Sequence, residues 1–170
     1  MQSASERFSS LVALAHTRHA KRLRFAALMA LLIAVLLWRT QWPTLWPGLA
    51  ILFCTQLGAA LLLLYRNRQL SRYLHHLRSG TQDVGISLYW FDTEQIFLKR
   101  LTLFENGARM IGFIALAYGF WIPTRSLWIA LTLGLIYPVV MYFGMGRLAS
   151  KRTMNDLQGQ RDEMQTLLTH

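Results

Sequence analysis

The sequence predicts an all-α membrane protein with four transmembrane helices, arranged as two helical hairpins with both termini inside and helical extensions into the cytoplasm. Three observations carry that expectation. Apolar residues make up 54% of the 170-residue chain and stand in blocks, not at the period of an amphipathic helix or strand. Lys and Arg fall into three segments, five in residues 1–24, seven in 66–109 and four from Arg147 onward, with only Arg39 and Arg125 between them. Cytoplasmic segments beside short spans accumulate Lys and Arg, so this partition places both termini and the central segment inside. Finally, the two positions where apolar blocks meet are rich in Trp, Pro and Thr, which are the residues of a hairpin tip at an aqueous interface.

Residues 1–22 read as an amphipathic helix on the inner leaflet. Phe8, Leu11, Val12, Leu14 and Ala15 recur at roughly helical spacing, while Arg7, Arg18, Lys21 and Arg22 face an anionic surface, each worth about 1 kcal/mol there. The apolar run that follows lacks a small-residue cleavage site, so the first span is expected to be retained.

Residues 23–65 form the first hairpin. Leu45 to Tyr65 is uncharged and reaches the roughly 20 residues that a 30 Å hydrocarbon layer demands. Phe25 to Trp38 is shorter and borrows Leu23 and Trp42. The turn between them holds Trp38, Trp42, Pro43, Trp46, Pro47 and Gly48.

Residues 66–107 are expected to be a cytoplasmic helical loop. Leu70, Tyr73, Leu74 and Leu77 make an i, i+3, i+4, i+7 stripe on a continuation of the second span, ended by Ser79 and Gly80. A second helix is expected to begin at Asp92, with Gln95 three residues on completing a capping box. Between them lies the aromatic run Val84 to Phe91, which suits interfacial insertion, a small core beneath the helices, or an exposed patch for a partner.

Residues 108–145 form the second hairpin, with a tip at Trp121, Pro123, Arg125 and Trp128. Pro138 is expected to kink the fourth span. Residues 146–170 read as a polar helix in which Leu157, Met164 and Leu168 can pair with another helix. The two hairpins resemble each other at an offset near 80 residues, entering through Lys21-Arg22-Leu23 and Lys99-Arg100-Leu101. Parallel duplication and convergence both account for that likeness.

Polar chemistry inside the spans is sparse. The spans are expected to be free of ionisable groups, and Gln56 is read as a helix-to-helix hydrogen-bonding residue, worth about 0.6 kcal/mol. Gly112, Ala115 and Gly119 supply the small faces on which helices pack closely. Cys54, the single cysteine, excludes disulfide and thiolate-cluster frameworks. His16 with His19, and His75 with His76, lack nearby carboxylates or thiols, so no metal is expected. No cofactor motif or catalytic constellation is present, and the chain is read as non-enzymatic. The net charge of +10 follows from the positive-inside pattern, and nucleic acid is not expected as a partner.

The function expected from this pattern is a non-enzymatic anchor or scaffold of the bacterial inner membrane that oligomerises and recruits a cytoplasmic protein. Arg72, Tyr73, Leu77, Tyr89, Trp90 and Phe91 are the candidate partner-binding residues. The alternative is a pore-forming or membrane-sensing subunit of a toxin-immunity or phage-defence system.

Overall fold

Three long helices dominate the computed structural model, which describes residues 4–78, 84–140 and 147–169. They are α1 (Ala4–Arg39), α2 (Trp46–Arg78) and α3 (Val84–Thr124). Next come α4 (Leu127–Leu131), a π-helical turn over Thr132–Ile136, α5 (Tyr137–Val140) and α6 (Arg147–Thr169), and there is no strand among the described residues. At 1.5 Å per residue the long helices measure about 50 to 60 Å. That exceeds a hydrocarbon layer by roughly 20 to 30 Å.

Continuity is the main difference from the sequence expectation. α1 contains neither Gly nor Pro over its 36 residues, so nothing breaks the chain at residue 22, and the expected surface-lying segment is coaxial with the apolar run that follows. Its stripe of Phe8, Val12 and Ala15 is buried against other helices of the same chain. Likewise α3 starts at Val84 and runs unbroken through Asp92. Asp92 is therefore a mid-helix residue, not a cap, and its carboxylate forms an ion pair with Arg161 of α6, Oδ1 lying 3.1 Å from Nε. Ser79 and Gly80, expected to end the second helix, lie outside the described residues.

α1 packs on α2 and α2 on α3, while α6 lies against α3 and α1 at the end of the bundle away from the hairpin tips. Three apolar clusters fill the interior. Near the tips Ile33, Leu45, Leu49, Leu52 and Leu116 are buried together. Ala59, Leu63 and Leu101 occupy the middle. At the far end Phe8, Val12, Leu70, Trp90, Phe91, Leu98 and Leu157 join α1, α2, α3 and α6, with Phe8 meeting Trp90 and Tyr73 edge to face.

The tips use local hydrogen bonding. Pro43–Leu45 form a single 3-10 turn leading into α2, and the amide of Thr40 donates to the carbonyl of Leu36 at 2.9 Å. α3 ends through Arg125 in the left-handed region at φ 51°, whose amide donates to the carbonyl of Trp121 at 2.8 Å, the geometry that satisfies an orphan helix carbonyl. The π turn over Thr132–Ile136 ends two residues before Pro138. Proline offers no N–H to the preceding turn, and a local widening of the helix accommodates that loss. Met141 to Gly146, the end expected for the fourth span, lie outside the described residues.

Small residues set the α2–α3 approach. A Cβ at Gly48 would stand 2.6 Å from the backbone nitrogen of Leu116, and one at Gly112 would stand 2.6 Å from Leu52 Cδ2. Gly119 faces the carbonyl of Thr44. Gly112 and Gly119 are thus used within the chain, and Ala115 between them is half-buried. Because the backbone at Leu116 cannot step aside, Gly48→Ala is expected to lower stability by about 1–3 kcal/mol. Gly58→Ala is the control, since its Cβ would meet only Phe104 at 3.5 Å. Thermal unfolding of the detergent-solubilised protein, followed by circular dichroism, separates the two.

The outer surface of the tip half is apolar on every element. Phe25, Leu31 and Leu36 of α1, Leu61 of α2, Ile111, Ile114 and Tyr118 of α3, and Leu127 and Trp128 of α4 are all more than half exposed. Among the described residues one helix, over Pro43–Tyr73, is long and apolar enough to cross a membrane, with mean hydropathy 2.0.

Candidate functional site

Each of the three long helices carries a buried stripe at helical period, and at one shared level each stripe is interrupted by an ionisable residue. On α1 the stripe Phe8, Val12, Ala15 leads to His19, and on α3 Phe91 and Leu98 flank Glu94. On α2 Leu63 and Leu70 flank Arg66. His19 and Glu94 are each only 1% exposed, so water cannot satisfy them and the protein must.

It does so by joining them. Glu94 Oε1 is hydrogen-bonded to His19 Nε2, and Glu94 Oε2 accepts from Arg66 Nε at 3.1 Å. Arg66 Nη2 lies 3.0 Å from the same oxygen without making a directional hydrogen bond. Arg66 Nη1 donates to Gln69 Oε1 at 3.1 Å. Phe97 closes the cluster, lying 5.6 Å from the Arg66 guanidinium and 5.7 Å from the His19 ring. Burial alone would raise the Glu94 carboxyl, but the hydrogen bond and charge of His19, with those of Arg66, hold it below the ordinary carboxylate range. Glu94 is the hub, since α1 and α2 both reach α3 through it.

A second polar layer lies nearer the tips. With its carboxamide oxygen turned toward α3, Gln56 accepts from Arg109 Nε at 3.1 Å and from Nη2 at 3.3 Å. Arg109 also pairs with Glu105 at 3.5 Å. Arg22 of α1 stands within electrostatic reach of both Glu105 and Glu94. No helix break separates Glu105 and Arg109 from the apolar run beginning at Met110, and the charge of Arg109 is accommodated by Gln56 and Glu105.

Beside the Glu94 hub an open cleft of about 180 Å³ separates α2 from α3. Arg66, Gln69, Leu70 and Tyr73 line one side, and Tyr89, Trp90 and Thr93 the other. The hydroxyl of Tyr73 and the indole N–H of Trp90 are buried without hydrogen-bond partners.

The candidate partner-binding residues divide on this geometry. Tyr73, Tyr89 and Trp90 share the cleft, with Tyr89 72% exposed and Trp90 only 6% exposed. Arg72 is on the exposed surface of α2. Phe91 is fully buried and cannot contribute to a docking patch. The reason is the early start of α3, which puts Phe91 one helical turn from Glu94 and two turns from Leu98 on the same inward face. The side chain of Leu77 lies outside the described residues. Gln56, read as inter-helix glue, reaches α3 through Arg109. No known protein family, curated protein or solved structure matches the chain.

Proposed function

We propose that this protein is a four-span, non-enzymatic anchor of the bacterial inner membrane, with both termini cytoplasmic, that self-associates and recruits a cytoplasmic protein. The membrane part of the reading is supported by the apolar outer surface of α1 through α4, since contiguous exposed apolar area of that extent needs a covering phase. Exposed indoles at Trp38, Trp46 and Trp128 fit a headgroup-level belt at the tips. α1 and α3 join an apolar half to a charged half in one helix, so each crosses the layer and projects beyond it. Self-association falls to faces other than the glycine seam, which α2 and α3 occupy between themselves.

The observation that carries the recruiting role is the rigid head beyond the apolar surface. There α1, α2, α3 and α6 share one aromatic core, and α3 is tied to α1 and α2 by Glu94 and to α6 by Asp92 with Arg161. A span needs no such head, whereas a docking platform does. α6 presents Arg152, Asn155, Asp156, Gln158 and Asp162 to solvent while Leu157 is buried, leaving a polar face of mixed charge for a partner.

The test is gentle solubilisation of the tagged chain from native membranes with identification of what accompanies it. The reading expects a stoichiometric cytoplasmic protein whose recovery falls when α6 is altered by Asp156→Arg with Asp162→Arg. Recovery of the bare chain alone overturns it. Ion conductance in planar bilayers would instead place the chain among pore formers.

A further inference from the structure

Exposed cations and exposed apolar surface meet along one level of the bundle. Leu23 of α1, Ala59 and Leu63 of α2 and Leu101 of α3 pack in a single cluster, which aligns the three helices there. Beside it Lys21 and Arg24 on α1, Arg68 on α2, and Lys99 and Arg100 on α3 are all exposed. Toward the tips the next exposed side chain on each helix is apolar, Phe25 on α1, Tyr65 on α2 and Leu103 on α3. Charge thus gives way to hydrocarbon within one turn on three separate helices.

No acid offsets these cations. Glu94 is buried between His19 and Arg66, and Glu105 is paired with Arg109. None of the five exposed cations makes an ion pair with a described residue, so their charge is available to whatever lies outside.

Depth identifies that neighbour. On the membrane placement proposed above, on which this inference rests, the tip indoles stand at the outer interface. Trp46 and Tyr65 are about 28 Å apart along α2, and Leu103 and Trp121 about 27 Å apart along α3, both close to the roughly 30 Å of a hydrocarbon layer. The five cations therefore fall at the inner headgroups. A globular partner would meet one side of the bundle, whereas cations on three helices, each bordering hydrocarbon, suit a surrounding bilayer.

We propose that Lys21, Arg24, Arg68, Lys99 and Arg100 form a collar that gathers anionic phospholipids of the inner leaflet around the protein. The ammonium and guanidinium groups donate to phosphate oxygens, while the alkyl stems of the side chains lie along the apolar border. Basic residues immediately cytoplasmic of a span attract anionic lipid in this way. The collar thereby sets the height at which the head projects from the bilayer.

The test uses the full chain in phosphatidylcholine vesicles carrying a trace of spin-labelled phosphatidylglycerol or spin-labelled phosphatidylcholine, with electron spin resonance reporting the lipid held at the protein surface. A cation at an anionic surface is worth about fivefold in association. Phosphatidylglycerol is expected to be selected over phosphatidylcholine by about that factor, and the preference should shrink in about 1 M salt, where screening acts within about 3 Å. The quintuple variant Lys21→Gln, Arg24→Gln, Arg68→Gln, Lys99→Gln and Arg100→Gln is expected to treat the two lipids alike. Its melting temperature in detergent should match the wild type, because all five side chains are exposed. Lys99→Gln with Arg100→Gln alone should lose part of the preference, and this milder pair decides the matter if the quintuple variant does not fold. Surface lipid without headgroup preference in the wild type would overturn the collar and leave the membrane placement standing, whereas the absence of any surface lipid would remove both. If the variants keep the wild-type preference, anionic lipid is held elsewhere and the proposal fails; loss of a co-purifying protein in those same variants would assign the cations to a protein partner instead.

Discussion

Glu94→Gln is expected to be the most damaging single substitution in the chain, costing about 3–5 kcal/mol, because it leaves Arg66 facing a neutral amide and breaks the shared contact with His19 in a buried setting. For a chain of this size each kcal/mol shifts the melting temperature by about 2–4 °C. The same linkage gives a pH dependence of definite sign. The folded-state carboxyl of Glu94 titrates below its ordinary value, so its contribution is fully present above the ordinary carboxylate range, at about pH 5 and higher, and is lost as pH falls through the lowered folded-state value. Wild-type melting temperature should therefore fall on acidification below about pH 4, with Glu94→Gln less stable at neutral pH and flatter over the acidic range. A parallel pair of curves, displaced but equally steep, would show that Glu94 is not the hub.

Phe8→Ala should rank beside it, at about 3–5 kcal/mol for truncating a buried Phe. Phe8 is 1% exposed and touches Trp90, Phe91 and Tyr73 at centroid distances of 5.8, 6.1 and 6.2 Å. Its loss opens a cavity where α1, α2, α3 and α6 meet, and the head should loosen as a unit. Limited proteolysis ought then to cut within α6 and the first turns of α1 while the tip half resists. Cleavage spread evenly along the chain would argue against a separately cored head.

The helical class was legible because long stretches lack Gly and Pro and because apolar residues stand in blocks. The stripe Phe8, Val12, Ala15 was equally visible in the sequence. What it packs against was not, since an amphipathic face suits a bilayer or a neighbouring helix alike, and tertiary contact with Trp90 and Leu157 decides the matter here. The start of α3 was misplaced for a related reason. Asp92 with Gln95 has the form of a capping box, yet helix continuity from Val84 leaves Asp92 to pair with Arg161, 69 residues away in sequence. The Glu94 hub left a fainter signal. His19, Arg66 and Glu94 each occupy a position in an apolar stripe where another apolar residue would be expected. An ionisable group at such a position marks a buried partnership, although only the fold shows that the three belong to one another. The cleft left none, because it arises from side chains of two helices whose register is set by glycines at 48, 112 and 119.

The placement of the chain in a membrane is the claim on which the rest depends, and single-cysteine labelling tests it most directly. In a Cys54→Ala background, cysteines placed one at a time at Ala13, Gln41, Ser71, Thr124 and Asp156, all exposed, are offered a membrane-impermeant maleimide in cells with permeabilised outer membranes. The account predicts that Gln41→Cys and Thr124→Cys react in those cells, whereas Ala13→Cys, Ser71→Cys and Asp156→Cys react only after the inner membrane is opened. Equal labelling of all five positions before that step, or protection of either tip, would contradict it.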